Sequence, residues 1–77
     1  MNYKMTNESK HNEIKSHLMR GETITGLQAI DLYGVYRLSS VINRLRNRDG
    51  LNVETTMVTA SDGKTIFAKY WIPINKR

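Results

Sequence analysis

The sequence has no cysteine, a single proline and no long apolar segment. The absence of cysteine excludes disulfides, thiolate zinc sites, Fe–S clusters and cysteine nucleophiles, so packing alone must hold the core together. No run approaches the roughly 20 apolar residues that a membrane helix needs, and the first residues lack the apolar region of a signal peptide. We therefore expect a cytoplasmic protein without a membrane partner.

The chain is also short, with 77 residues. A chain of this length buries only about 60% of the surface that its unfolded form exposes, which leaves room for one core. We expect a single domain over residues 1–77. Its ends, residues 1–6 and 74–77, are expected to be flexible.

Acidic residues are absent between Asp31 and Asp49. The net charge of +5 is also unevenly placed, because residues 1–36 balance four positive against four negative side chains, whereas residues 37–77 carry eight positive and three negative ones. Clustered cations release the counterions condensed on a phosphate backbone. The asymmetry therefore favours a polyanionic partner over a merely soluble basic face.

The first half of the chain has helical periodicity. A first helix is predicted over residues 7–20, with Ile14 and Leu18 on one face and Gly21 as its end. A short strand is expected at residues 22–24, followed by a second helix over residues 26–33 that Thr25 caps. The apolar side of this second helix comprises Leu27, Ala29, Ile30 and Tyr33. A third helix follows over residues 37–49 and ends at an Asp-Gly pair.

Beyond Gly50 the apolar period changes from 3.6 to 2, which predicts strands over residues 51–60 and 65–72. The intervening Ser-Asp-Gly-Lys segment predicts a hairpin with a type I′ turn. We expect the hairpin aromatics Phe67, Tyr70 and Trp71 to cover the helices. The order helix, strand, helix, helix, hairpin is that of an α+β winged helix-turn-helix, in which three helices and a short first strand precede a C-terminal β-hairpin, the wing.

The third helix has two distinct faces. Leu38, Val41, Ile42 and Leu45 form an apolar stripe, and the opposite side is rich in Asn, Ser and Arg. Such side chains hydrogen-bond base edges and phosphates in a major groove. Candidate DNA-binding residues are Tyr36, Arg37, Ser39, Ser40, Asn43, Arg44, Arg46, Asn47 and, at the hairpin tip, Lys64. We expect Asn43 and Arg44 to contact bases, and Arg37 and Arg46 to contact phosphates. Lys64 either contacts DNA from the wing or is simply a polar residue of the turn.

The sequence offers little for catalysis. His11 and His17 are six residues apart, which is not the spacing that places two imidazoles side by side on a helix, so we expect no metal site. No histidine lies near Ser39 or Ser40, and no glycine-rich phosphate loop is present. We therefore predict a non-enzymatic protein without a cofactor.

The stretch over residues 24–50 resembles a small helix-turn-helix family found in phage and prophage genomes. The family pattern reads I-T-x-x-x-A, then G-V-x-R-L-S-x-x-I-x-x-L-R, then Gly. The matching positions are Ile24, Thr25, Ala29, Gly34, Val35, Arg37, Leu38, Ser39, Ile42, Leu45, Arg46 and Gly50. The resemblance implies a winged helix-turn-helix fold and DNA binding through the helix that begins near Arg37. The older twenty-residue repressor template fits poorly, because its apolar positions would fall on Ser40 and Asn43.

Two functions of different classes follow from these features. The first is a sequence-specific double-stranded DNA-binding protein, a phage or prophage transcriptional regulator or excision-type accessory factor in the cytoplasm of a bacterial host. It would act as a homodimer or as several copies along DNA, since one small reader contacts few base pairs. The alternative is a protein-interaction module with a winged-helix shell that binds and modulates a host protein. A third interpretation, RNA or single-stranded DNA binding, depends on Tyr70 and Trp71.

Overall fold

The computed structural model describes residues 7–77, and the expectation of a flexible segment at residues 1–6 lies outside this range. The elements in chain order are α1 (Asn7–Met19), β1 (Ile24–Thr25), α2 (Gly26–Tyr33), α3 (Leu38–Asn47), β2 (Glu54–Thr59), β3 (Ile66–Trp71) and a 3₁₀ turn (Ile74–Lys76). The predicted α+β class and the predicted order of helix, strand, helix, helix and hairpin are confirmed.

α1 forms because residues 8–19 contain neither glycine nor proline and place apolar side chains at helical spacing. His11, Ile14 and Leu18 lie three and four residues apart, and all three are fully buried. One face of the helix is thereby packed against the remainder of the protein. Gly21, with a φ of 90°, turns the chain just beyond the helix end.

Thr25 begins α2 with both halves of a capping box. Its hydroxyl accepts a hydrogen bond from the Gln28 N–H at 3.3 Å, and the Gln28 side-chain oxygen accepts one from the Thr25 N–H at 2.9 Å. Two backbone donors at the helix start are satisfied in this way. The predicted cap is therefore confirmed.

β1 begins two residues later and ends one residue later than the expected segment 22–24, so it is one residue shorter. One cause is His17, whose Nε2 donates to the Thr23 carbonyl at 2.9 Å. The Thr23 carbonyl is thus bonded to a side chain and not to a neighbouring strand. Strand pairing begins at Ile24, which lies opposite Tyr70.

α3 is shorter than predicted by one residue at its start and by two at its end. The helix ends early because Gly50 adopts a φ of 68° and reverses the chain direction. The Leu51 N–H then donates to the Leu45 carbonyl at 3.0 Å. This reversal brings Leu51 against the core. α2 ends in the same manner, with Gly34 at a φ of 66° and the next N–H bonded to the Ala29 carbonyl.

The sheet is antiparallel with the order β1-β3-β2. β2 pairs with β3 from Glu54 opposite Trp71 to Thr59 opposite Ile66. β1 pairs with the other edge of β3 and leads directly into α2. The base of the hairpin is therefore attached to the start of the second helix.

The hairpin is confirmed, but its predicted type I′ turn is wrong. That turn needs positive φ at both Asp62 and Gly63, and only Gly63 has it, with a φ of 74°. The Gly63 N–H instead bonds to the Ala60 carbonyl at 3.0 Å. The Asp62 carboxylate accepts from the N–H groups of Lys64 and Thr65 at 2.8 and 2.9 Å, which stabilises this longer loop. Hydrogen bonds from Thr65 and then Lys64 lower the pKa of Asp62 to about 2.

The core lies between the three helices and one side of the sheet. Its buried residues are Ile14, Leu18, Ile24, Ala29, Val35, Leu38, Val41, Ile42, Leu45, Val53 and Ile72. Tyr70 packs against this core, as expected. Trp71 does not, because neighbouring side chains of a strand point to opposite faces. It is half-buried, and its indole N–H donates to the Thr56 hydroxyl at 2.9 Å.

The C-terminal residues contact the end of α1. Arg77 donates from Nε to the Ile72 carbonyl at 3.0 Å. A side chain at Gly21 would place its Cβ 2.7 Å from the Arg77 guanidinium, so the two lie directly against each other. The flexibility of residues 74–77 stays a prediction.

Candidate nucleic-acid interface

α3 separates an apolar stripe from a polar face, as its sequence predicts. The stripe is buried and comprises Leu38, Val41, Ile42 and Leu45. The opposite face is exposed and comprises Ser39, Ser40, Asn43, Arg46 and Asn47. Arg44 is half-buried at the edge of this face. No acidic residue lies on α3, so the helix itself carries nothing that would repel phosphate.

Asn43 and Asn47 form a pair on the exposed face. The Asn47 Nδ2 donates to the Asn43 Oδ1 at 2.8 Å, one turn apart. The bond orients the Asn43 amide while leaving its own Nδ2 donors and a second lone pair on its oxygen. A side-chain amide with one donor and one acceptor available matches the N6 and N7 edge of adenine in a major groove.

A groove of about 640 Å³ borders the start of α3, and we call it the cationic groove. It is lined by Lys10, Gly34, Val35, Tyr36, Arg37, Ser40, Val41, Asn43 and Arg44. Three of these residues are cationic and none is acidic. The groove thus combines five of the predicted site residues with Lys10 of α1, and its charge suits an anionic ligand.

The other predicted arginine, Arg46, is bonded within the protein. Its Nε donates to the Val53 carbonyl at 3.0 Å and its Nη2 donates to the Thr55 hydroxyl at 2.8 Å. These bonds hold the end of α3 against the start of β2. Phosphate binding by Arg46 stays a prediction, and it would compete with this structural role.

Arg48 also turns toward the protein. Its two terminal nitrogens donate to the two carboxylate oxygens of Glu8 at 3.0 and 3.3 Å, and its Nε donates to Asp49 at 3.2 Å. The hydrogen bonds to Glu8 and then to Asp49 raise the pKa of Arg48 above its usual value. The guanidinium stays charged and joins the start of α1 to the end of α3.

The two histidines have structural partners. His17 accepts at Nδ1 from the Tyr33 hydroxyl at 2.7 Å and donates from Nε2 to the Thr23 carbonyl. His11 donates from Nε2 to the Asp49 carboxylate at 2.8 Å. Within residues 7–77 no three His, Cys, Asp or Glu side chains come together as metal ligands would.

The tip of the hairpin exposes Lys64. Its backbone N–H is bonded to Asp62, which fixes the loop but leaves the ammonium group to the solvent. Contact of Lys64 with DNA stays a prediction.

A second concave surface of about 670 Å³ lies between the starts of α2 and α3 and strand β3. Tyr36 and Arg37 line this groove as well as the cationic groove. Its apolar lining includes Leu27, which is 76% exposed. Leu27, which the sequence places on the apolar side of α2, therefore lies outside the core, and Ala29 is the buried residue of that helix.

Lys10 is the groove residue that sequence reasoning missed. The sequence places Lys10 on the first helix, next to His11. It does not show which surface Lys10 faces, because that depends on how α1 packs against the turn between α2 and α3. Its Nζ donates to the Gly34 carbonyl at 3.1 Å, which places it in the cationic groove. A single sequence gives no signal for this contact between residues far apart in the chain.

Comparisons with known proteins agree with the observed fold. A family model described as a winged helix-turn-helix domain matches residues 9–72. No curated protein matches the chain. Among residues 7–77 no helix has the length and apolar character needed to cross a membrane. The match covers most of the chain, and the chain therefore belongs to the winged helix-turn-helix domain family, whose fold is typically a non-enzymatic DNA-binding one.

Proposed function

We propose that this protein binds double-stranded DNA in a sequence-specific manner, with α3 in the major groove and the β2–β3 hairpin as its wing. We further propose that it is a phage or prophage transcriptional regulator or excision-type accessory factor in the cytoplasm of a bacterial host. This finer role depends on the resemblance of residues 24–50 to the phage family. Since one α3 contacts few base pairs, we expect two or more copies on one site.

The observation that carries this proposal is the exposed Asn43–Asn47 pair on a helix face without acidic residues. A pre-oriented amide supports reading of base edges, because a donor and an acceptor in fixed positions can distinguish one base pair from another in the major groove. Arg44 lies half-buried at the edge of the same face. Five further exposed residues would contact the backbone: Tyr36, Arg37, Ser39, Ser40 and Lys64.

The test has two steps. Bound sequences are first selected from a random duplex pool at about 150 mM salt, and enrichment of one motif is expected. Asn43→Ala is then compared with the parent protein on the motif and on a random duplex. We expect the preference for the motif to fall by about 1–3 kcal/mol because the base contact is lost.

Asn12→Ala is the matched control, because Asn12 is exposed on α1 and lies outside the cationic groove. It should leave the preference unchanged. If Asn43→Ala discriminates as the parent does, α3 is not the reader. If no motif is enriched and one stoichiometric protein from host lysate stays bound after nuclease treatment, the protein-interaction module is the better interpretation.

A further inference from the structure

The cations within residues 7–77 differ in their partners. Lys15, Arg20 and Arg48 form ion pairs with carboxylates, and Arg46 and Arg77 donate to backbone carbonyls. The Arg37 and Arg44 side chains have no hydrogen bond or ion pair with any residue in the described part of the chain. Both of these arginines line the cationic groove.

Lys10 brings a third charge to the same place from another element. Its Nζ bonds to the Gly34 carbonyl at 3.1 Å, which uses one of the three donors of the ammonium group. The bond fixes the half-buried side chain at the turn between α2 and α3. Two donors of the ammonium group stay available.

The Glu8 carboxylate is paired with Arg48 and not with an arginine of the groove. The hydrogen bond from Arg48 is the main cause that lowers the pKa of Glu8, and the charge of Arg44 adds a smaller effect. The Glu8 carboxylate is therefore ionised and held by Arg48 at 3.0 Å. No acidic residue lines the groove itself.

We propose that Lys10, Arg37 and Arg44 form a phosphate cradle, a site for one backbone phosphodiester of the duplex at the edge of the groove that α3 enters. This inference rests on the proposed function. Three cations from α1, the α2–α3 turn and α3 converge on one concave surface next to the Asn43–Asn47 pair. A phosphate held there sets the position of α3 along the duplex, so Lys10 positions the reader without contacting a base.

The test is the salt dependence of binding to the selected duplex and to a random duplex. Each phosphate contact contributes about 0.9 to the slope of log K against log salt concentration. Lys10→Gln should reduce the slope by about 0.9 and weaken binding to both duplexes by the same factor. Lys10→Arg keeps the charge and should retain the slope.

Lys15→Gln is the matched control, since it removes the same charge from the same helix at a residue that pairs with Asp49 at 3.6 Å. It should leave the slope unchanged, and thermal unfolding of all three variants reports whether each is folded. If the parent protein binds duplex but Lys10→Gln retains the parent slope, the cradle is overturned and the proposed function stands. If the parent binds no duplex, both are overturned.

Discussion

The Asp49 carboxylate interacts with three basic side chains. It accepts from the fully buried His11 at 2.8 Å, from Arg48 at 3.2 Å, and pairs with Lys15 at 3.6 Å. The first two partners lie on either side of the junction between α1 and the end of α3. The Asp49 residue that the sequence marks only as a helix stop therefore joins two helices.

The pH dependence of the free energy of unfolding should reveal the stabilisation that the Asp49 carboxylate provides. The hydrogen bond from His11, followed by that from Arg48, lowers the pKa of Asp49 from 3.8 to about 2. Because the folded pKa is depressed, its stabilisation is complete above pH 4 and is lost as the pH falls from about 4 to 2. Asp49→Asn should be less stable than the parent at pH 7 and should lose less free energy of unfolding over that interval. Urea unfolding at pH 7, 4 and 2 measures both quantities.

Asp31→Asn provides the comparison, because Asp31 is exposed on α2 and has no ion pair or hydrogen bond with the described residues. It should show the pH dependence of the parent protein. Equal losses in Asp49→Asn and the parent between pH 4 and 2 would contradict the role assigned to Asp49.

At the scale of elements, α2 is short and depends on its ends. It has eight residues, of which only Ala29 is buried. Few apolar contacts therefore stabilise it, and an isolated helix of this length is unstable in water. The capping box at its start and the Gly34 reversal at its end satisfy backbone groups that would otherwise lack partners.

Thr25→Ala should destabilise the protein by about 1 kcal/mol, because the Gln28 N–H loses its acceptor at the helix start. Urea unfolding followed by circular dichroism measures the change. Thr23→Ala is the control, because it makes the same change two residues earlier at an exposed side chain. The hydrogen bond from His17 goes to the Thr23 carbonyl and does not involve the hydroxyl. An equal loss in both variants would show that threonine content, and not the cap, is responsible.

The elements also show what the sequence could and could not predict. Periodicity, the Thr25 cap and the glycines that follow each helix were sufficient to place three helices and the hairpin, because these signals are local. The errors arose where a side chain competes with the backbone pattern. Asp62 replaces a type I′ turn with a loop that it caps itself, and the Thr23 carbonyl is bonded to His17 instead of a strand.

The candidate site follows the same division. The polar face of α3 was predictable, since the burial of Leu38 and Leu45 determines which residues point outward. The fate of each arginine was not, because Arg46 is bonded to residues of β2 and Arg48 to α1. Those contacts depend on packing between distant segments. The position of Lys10 in the cationic groove likewise depends on its contact with Gly34, a residue distant in the chain.

At the scale of the whole molecule, the net charge of +5 gives a poor measure of the proposed DNA-binding surface. Several cations stabilise the fold, while the cationic groove gathers three that have no acidic partner within residues 7–77. Two proteins of equal charge could therefore bind DNA very differently, depending on which arginine is removed.

Arg44→Gln and Arg48→Gln test this separation, because each lowers the formal charge from +5 to +4. Arg44→Gln should reduce the salt slope of duplex binding by about 0.9 and leave stability nearly unchanged. Arg48→Gln should leave the slope unchanged and lower stability, since it loses the bonds to Glu8 and Asp49. Salt titrations and urea unfolding provide the two measurements. Equal slopes in the two variants would show that charge acts as a bulk property.

The two-residue strand β1 pairs with residues that lie far from it along the chain. Ile24 meets Tyr70 only after α2, α3 and β2 have been laid down between them, whereas each helix and the β2–β3 hairpin needs only near neighbours along the chain. Closing such a distant pair is entropically costly and gains few bonds, so it forms late in folding. Weakening β1 therefore accelerates unfolding and leaves the folding rate almost unchanged. We therefore expect the attachment of the wing to the helices to form last and to open first.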